Sequence, residues 1–127
     1  MATPMARYLT FTAFGWLTLT GTLHFAIDVV SQYLRGKRVP GPEATFYYGL
    51  HSAFALGQVL FGLTCLWAAR RHPDLLRDPA VMLLSGVGAA AWLTLTFTAM
   101  EYWEPKFNAG IFVALLVIAI AVEHGRA

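Results

Sequence analysis

Apolar residues run along the chain in four long blocks separated by short polar stretches. The blocks cover residues 8–30, 46–69, 80–100 and 107–122. Each is read as a membrane-spanning helix, because about 20 consecutive apolar residues cross the hydrocarbon core of a bilayer. The last block is the shortest. Its uninterrupted run from Ala109 to Val122 is about 14 residues, so Phe107 and the aromatic pair Tyr102 and Trp103 must help it reach, or the bilayer thins there. Three spans with a re-entrant tail is the alternative. The first block is too long for the core of a signal peptide and is read as retained. Between the blocks, Ser31 to Ala44 is a basic loop broken by Pro40-Gly41-Pro42, and Arg70 to Pro79 is a compact turn. Asp78-Pro79 there predicts a helix opening, with Asp as cap and Pro in the first turn.

Composition agrees with this pattern. The 127 residues are 57% hydrophobic and 13% charged, against about 25% charged in soluble domains. The expected fold is an all-α integral membrane four-helix bundle, with residues 1–127 forming a single transmembrane domain. The net charge of +2 is small and its basic residues sit in short loops, which argues against a nucleic-acid partner. Cys65 is the single cysteine, which excludes an intrachain disulfide and a zinc finger. Four spans put Arg7, Arg70, Arg71, Arg77 and Arg126 on one side, and Arg35, Lys37, Arg38 and Lys106 on the other. This small excess predicts cytoplasmic termini.

Polar positions inside the blocks carry the functional reading. At 100° per residue, Tyr47, His51, Gln58, Gly62 and Cys65 fall within roughly 60° of one another on the second helix. The opposite face places Gly49, Ala53 and Gly57 at four-residue spacing, which suits close helix packing in lipid, within a homo-oligomer or a larger complex. Gly86 and Ala90 offer a similar pair. Thr20, Gly21, His24, Asp28 and Ser31 share a face of the first helix, and Thr94, Thr98 and Glu101 share one on the third. His24 lies about six residues before its block ends, hence ~9 Å below that boundary. His51 lies at a similar depth below the same boundary, and Glu101 sits at it. A charge facing lipid costs about 2.5–3.5 kcal/mol or more, so the three stripes are expected to face one interior cavity, open toward the Ser31–Ala44 loop. Tyr47, Tyr102 and Trp103 are expected at its mouth.

The chemistry these residues permit is of three kinds. His24, Asp28, His51 and Glu101 are the candidate catalytic set, in a pocket also lined by Thr20, Tyr47, Gln58, Thr94, Thr98 and Tyr102. The histidines would carry protons, Asp28 would orient them and Glu101 would be an acid or gate. The substrate would be a hydrophobic small molecule or lipid undergoing isomerase-type proton transfer. His24, Asp28 and His51 also have the chemistry of metal ligands, and one histidine suffices for haem. In the third reading the same groups are interhelical hydrogen bonds that fix register in a non-catalytic packing or accessory subunit.

Several stretches resemble a family of small bacterial four-span integral membrane proteins. They are Gly21-Thr22-Leu23-His24-Phe25 with Asp28, His51-Ser52 with Gly57 to Leu63, Pro73 with Leu75-Leu76, and Tyr102-Trp103 followed by Pro105. The resemblance covers most of the chain, implies the four-span fold and brings no activity with it. His51-Ser52 with Gly57 is similar to styrene oxide isomerase, a small four-span enzyme whose second-span histidine holds haem. That likeness implies haem at His51, although Ala53-Phe54-Ala55 stands here in place of that enzyme's Gly-Pro turn. Bundle size and inward acidic residues are similar to the sterol-isomerase and sigma-receptor type of fold, as architecture only.

Overall fold

The computed structural model describes residues 2–125, and Arg126 lies outside them. Four helices account for nearly all of it: α1 (Pro4–Leu34), α2 (Pro42–Arg71), α3 (Pro79–Ala99) and α4 (Trp103–His124). All four are long and apolar enough to cross a membrane. The chain is an all-α bundle, with no strand among the described residues.

Local sequence explains the boundaries. Thr3 and Asp78 cap α1 and α3, each followed by proline in the first turn. The Thr3 hydroxyl accepts from Ala6 N at 3.1 Å, and Asp78 Oδ1 accepts from Ala80 N at 2.8 Å. These contacts satisfy backbone donors that a helix start leaves open. The first helix ends where Gly36 takes φ 57°, a left-handed conformation that glycine adopts without a Cβ clash. The short last block is resolved by its leader. Helix α4 starts at Trp103, and its 22 residues extend ~33 Å at 1.5 Å each, enough for a ~30 Å core.

The helices pack α2 against α1, α1 against α4 and α4 against α3. One aromatic ring from each closes the circuit around the bundle axis. Phe14 lies 6.1 Å from Phe61 and 6.0 Å from Phe112, and Trp92 lies 5.7 Å from Phe61 and 6.0 Å from Phe112. Their edge-to-face and tilted geometry suits aromatic quadrupoles. The close approach of α1 to α2 runs through Gly21 and Gly62. A Cβ on Gly62 would stand 2.2 Å from the Thr18 hydroxyl oxygen and 3.1 Å from Phe14 O. By contrast, Gly49, Ala53 and Gly57 are exposed, as are Gly86 and Ala90, so neither small-residue face supplies that internal approach. Helix α3 presents Leu83, Leu84, Val87 and Phe97 outward.

The end that holds the termini is stitched together. Arg77 Nε donates to Glu123 Oε1 at 2.7 Å, and Arg77 Nη2 to Glu123 O at 3.3 Å. The His124 ring meets Leu76 O at 3.1 Å, and Ala2 N donates to Asp74. Glu123 is buried while Arg77 is 41% exposed, so the pair is partly screened by water and worth less than a fully buried one. Arg77→Gln is expected to destabilise the bundle by about 1–2 kcal/mol, chiefly by leaving the Glu123 carboxylate unpaired. Thermal unfolding in detergent checks this, with Arg71→Gln as a surface control.

Candidate functional site

Near the opposite end α1 changes its winding. Phe25–Ser31 forms a π-helical segment within the span, and Asp28 sits at its middle. Such wide turns are uncommon and concentrate at functional sites, because they re-aim side chains. Asp28 Oδ2 lies 2.9 Å from Nδ1 of His24, one turn earlier. The other nitrogen of the same ring, His24 Nε2, lies 2.8 Å from His51 Nδ1 on α2. An aspartate and two histidines thus form one continuous hydrogen-bonded chain across two helices.

Proton positions follow from the acceptors. With Asp28 ionised, His24 Nδ1–H donates to the carboxylate, so neutral His24 leaves Nε2 bare. That nitrogen then accepts from His51 Nδ1–H. Both imidazoles are held in one tautomer from a single carboxylate. His24 and His51 are buried, and the Asp28 side chain is 20% exposed. The Tyr47 ring packs on His51 at 4.0 Å between centroids, and the Phe54 ring lies 5.1 Å from His24. Beyond Tyr47, the Arg38 guanidinium carbon lies 3.3 Å from the tyrosine ring centroid. Charge over a ring face at that distance is a cation–π contact.

A cavity of about 590 Å³ opens beside this chain, between the end of α1 and the start of α4. His24, Asp28 and Gln32 line one wall, and Tyr102, Phe107 and Asn108 line the other. Leu23, Ile27 and Trp103 make it largely apolar. Near its base the two helices are tied by Trp16 Nε1, which donates to Asn108 O at 3.0 Å. Its size lies within the 300–1,000 Å³ of ordinary small-molecule sites.

The expected set therefore separates. His24, Asp28 and His51 come together, and Tyr102 lines the cavity with His24 and Asp28. Thr20, Tyr47 and Gln58 are buried and lie outside the cavity wall. Thr94 and Thr98 face outward, with their hydroxyls donating to Ala90 O at 2.7 Å and Thr94 O at 2.8 Å. Glu101 lies exposed beyond the end of α3. The third helix turns Ser85, Ala89 and Thr96 inward instead. Gln32, Arg38, Phe107 and Asn108 complete the site and were not singled out as site residues by the sequence. Asn108 left one signal, an amide in the first turns of an otherwise apolar span.

Neither a metal nor haem fits this arrangement. Asp28 and His51 bind opposite edges of the His24 ring, so the three cannot converge on one ion. Two imidazole nitrogens sharing a tetrahedral ion stand about 3.3 Å apart at Zn–N distances of 2.0–2.1 Å. The observed 2.8 Å is a direct hydrogen bond. Among the described residues no group of three or more His, Cys, Asp or Glu side chains is placed to hold a metal ion. His51 is 2% exposed, with the Tyr47 ring packed on it and its Nδ1 committed to His24, so the ring is not free to serve as an axial ligand. Comparison with protein-family models, curated proteins and solved structures gave no match.

Proposed function

We propose that the chain is an integral membrane protein whose cavity takes a hydrophobic small molecule or lipid and moves a proton on it, in an isomerase-type reaction. The carrying observation is that Asp28 and His24, hydrogen-bonded to each other and through His24 to His51, line an apolar cavity. One carboxylate oxygen of Asp28 is committed to His24, and the second is left for the cavity. In the reaction a substrate C–H bond breaks and its proton passes to that oxygen. The double bond then shifts, and the Asp28 carboxyl, whose proton exchanges with water at the cavity mouth, delivers one proton to a different carbon. One proton is removed and one returned, with no other reactant consumed. The two histidines hold the carboxylate in place and spread the charge it gains and loses, which general acid–base catalysis requires of a positioned group.

Purified protein incubated in D2O with its co-extracted lipids is expected to place deuterium on carbon in one of them, read by mass spectrometry. Absence of label above a protein-free control overturns the proposal. The likeness to small bacterial four-span proteins supports placement in a bacterial inner membrane. The sequence count of five basic residues to four, Arg126 included, supports a cytoplasmic location for the termini. The accessory-subunit reading has one observation in its favour: Gly49, Ala53 and Gly57 face out of the bundle, and a Cβ on Gly49 would meet open space.

A further inference from the structure

Above the apolar cavity the structure carries a second one, of about 400 Å³, lined by Gln32, Arg35, Lys37, Arg38 and Tyr102. Gln32 and Tyr102 belong to both walls, so the two spaces adjoin. Three cations and no carboxylate line the upper one. Among the described residues, none of the three lies within ion-pair distance of an Asp or Glu. A polar atom on its wall is also unsatisfied: Arg38 Nε is buried with no hydrogen-bond acceptor. A buried donor without an acceptor is costly. A site that leaves it open while assembling positive charge is short of an anion.

We infer that the pair of cavities binds an anionic amphiphile, with its carboxylate or phosphate head among Arg35, Lys37, Arg38 and Gln32 and its apolar body in the cavity beside Asp28. The inference rests on the proposed function only in naming the substrate class for the same cavity. Gln32 stands one turn after Asp28 on α1, so a head held at Gln32 places the reacting carbon about 5–6 Å deeper along the chain. Arg38 also gives the head a fixed partner, because its guanidinium is already oriented by stacking on Tyr47.

The test is binding, read without turnover, so failure of the proton-transfer reading leaves it standing. Wild-type protein in nanodiscs of zwitterionic lipid is titrated with dodecanoate, dodecyl phosphate, dodecanol and inorganic phosphate. The two amphiphilic anions are expected to bind at least tenfold more tightly than dodecanol or phosphate alone. Lys37→Gln/Arg38→Gln is expected to lose that preference while dodecanol binding is unchanged. Lys37→Gln alone, at an exposed loop position, is expected to weaken dodecanoate several-fold and keeps the test open if the double variant misfolds. Doping the nanodiscs with anionic lipid separates the sources: competition with dodecanoate assigns the head to a membrane lipid, and no competition assigns it to a free amphiphile. Equal binding of dodecanoate and dodecanol, or anion binding that survives both variants, overturns the inference.

Discussion

Asp28→Asn is expected to abolish deuterium transfer into the co-extracted compound, slowing it by about 10²–10⁴-fold, while the protein still inserts and folds. Asparagine has nearly the shape of aspartate and keeps a carbonyl oxygen to accept from His24 Nδ1–H. What it loses is the ability to take a proton. Such a rate loss corresponds to about 3–5 kcal/mol of barrier at 1.36 kcal/mol per decade. The fold should feel the change far less, since the Asp28 side chain is partly exposed at the cavity wall. Labelling rates and unfolding midpoints for the two proteins, measured side by side, decide the matter. If transfer continues in the variant, Asp28 is not the proton acceptor. If the variant fails to fold, Asp28 serves as interhelical glue.

The second large effect concerns the α1–α2 contact. Gly62→Ala is expected to destabilise the bundle by about 1–3 kcal/mol, the range for forcing extra atoms into a packed interface. The new Cβ meets the Thr18 hydroxyl oxygen at 2.2 Å and the backbone atoms Phe14 O and Thr18 N at 3.1 Å each. The hydroxyl is itself held, donating to Phe14 O at 2.8 Å. Backbone cannot give way unless the helices part, and parting them also lengthens the His24–His51 hydrogen bond. Unfolding in mixed micelles measures the loss. Thr18→Ala/Gly62→Ala should recover the share due to the hydroxyl, and Gly49→Ala, which points into open space, should be neutral or slightly stabilising. A Gly62→Ala protein as stable as wild type would mean that the two backbones are not in close contact.

The four spans were legible because lipid imposes a long apolar run on each, and Asp78-Pro79 marked a helix start by cap chemistry alone. Which face turns inward was legible only in part, and threonine is the reason. Thr94 and Thr98 satisfy their hydroxyls on carbonyls four residues back in their own helix, so they tolerate the outward face at little cost. Counting them with ionisable groups gave the third helix a polar stripe with no need of a partner. Thr12, Thr22 and Thr64 behave in the same way. His24 satisfies one ring nitrogen within its own span, on Asp28, and its other nitrogen meets His51 across the helices. Glu101 gave no constraint because it lies past the end of its helix. The π-helical turn had no visible mark, since no proline or glycine lies in Phe25–Ser31. The Arg77–Glu123 pair escaped because Glu123 follows the last apolar run and reads as a surface residue.

The ring of Phe14, Phe61, Trp92 and Phe112 has a consequence for energy conservation. Phe14 lies ten residues, ~15 Å, along α1 from His24. At that depth the bundle axis is filled by four aromatic side chains that offer a hydronium no acceptor, since the one polar group among them, the Trp92 indole N–H, only donates. Were Asp28 to take up a proton as proposed, this aromatic ring would stand between it and the far face among the described residues. The proposed acid–base chemistry would then sit in an energised membrane without short-circuiting the electrochemical gradient across it.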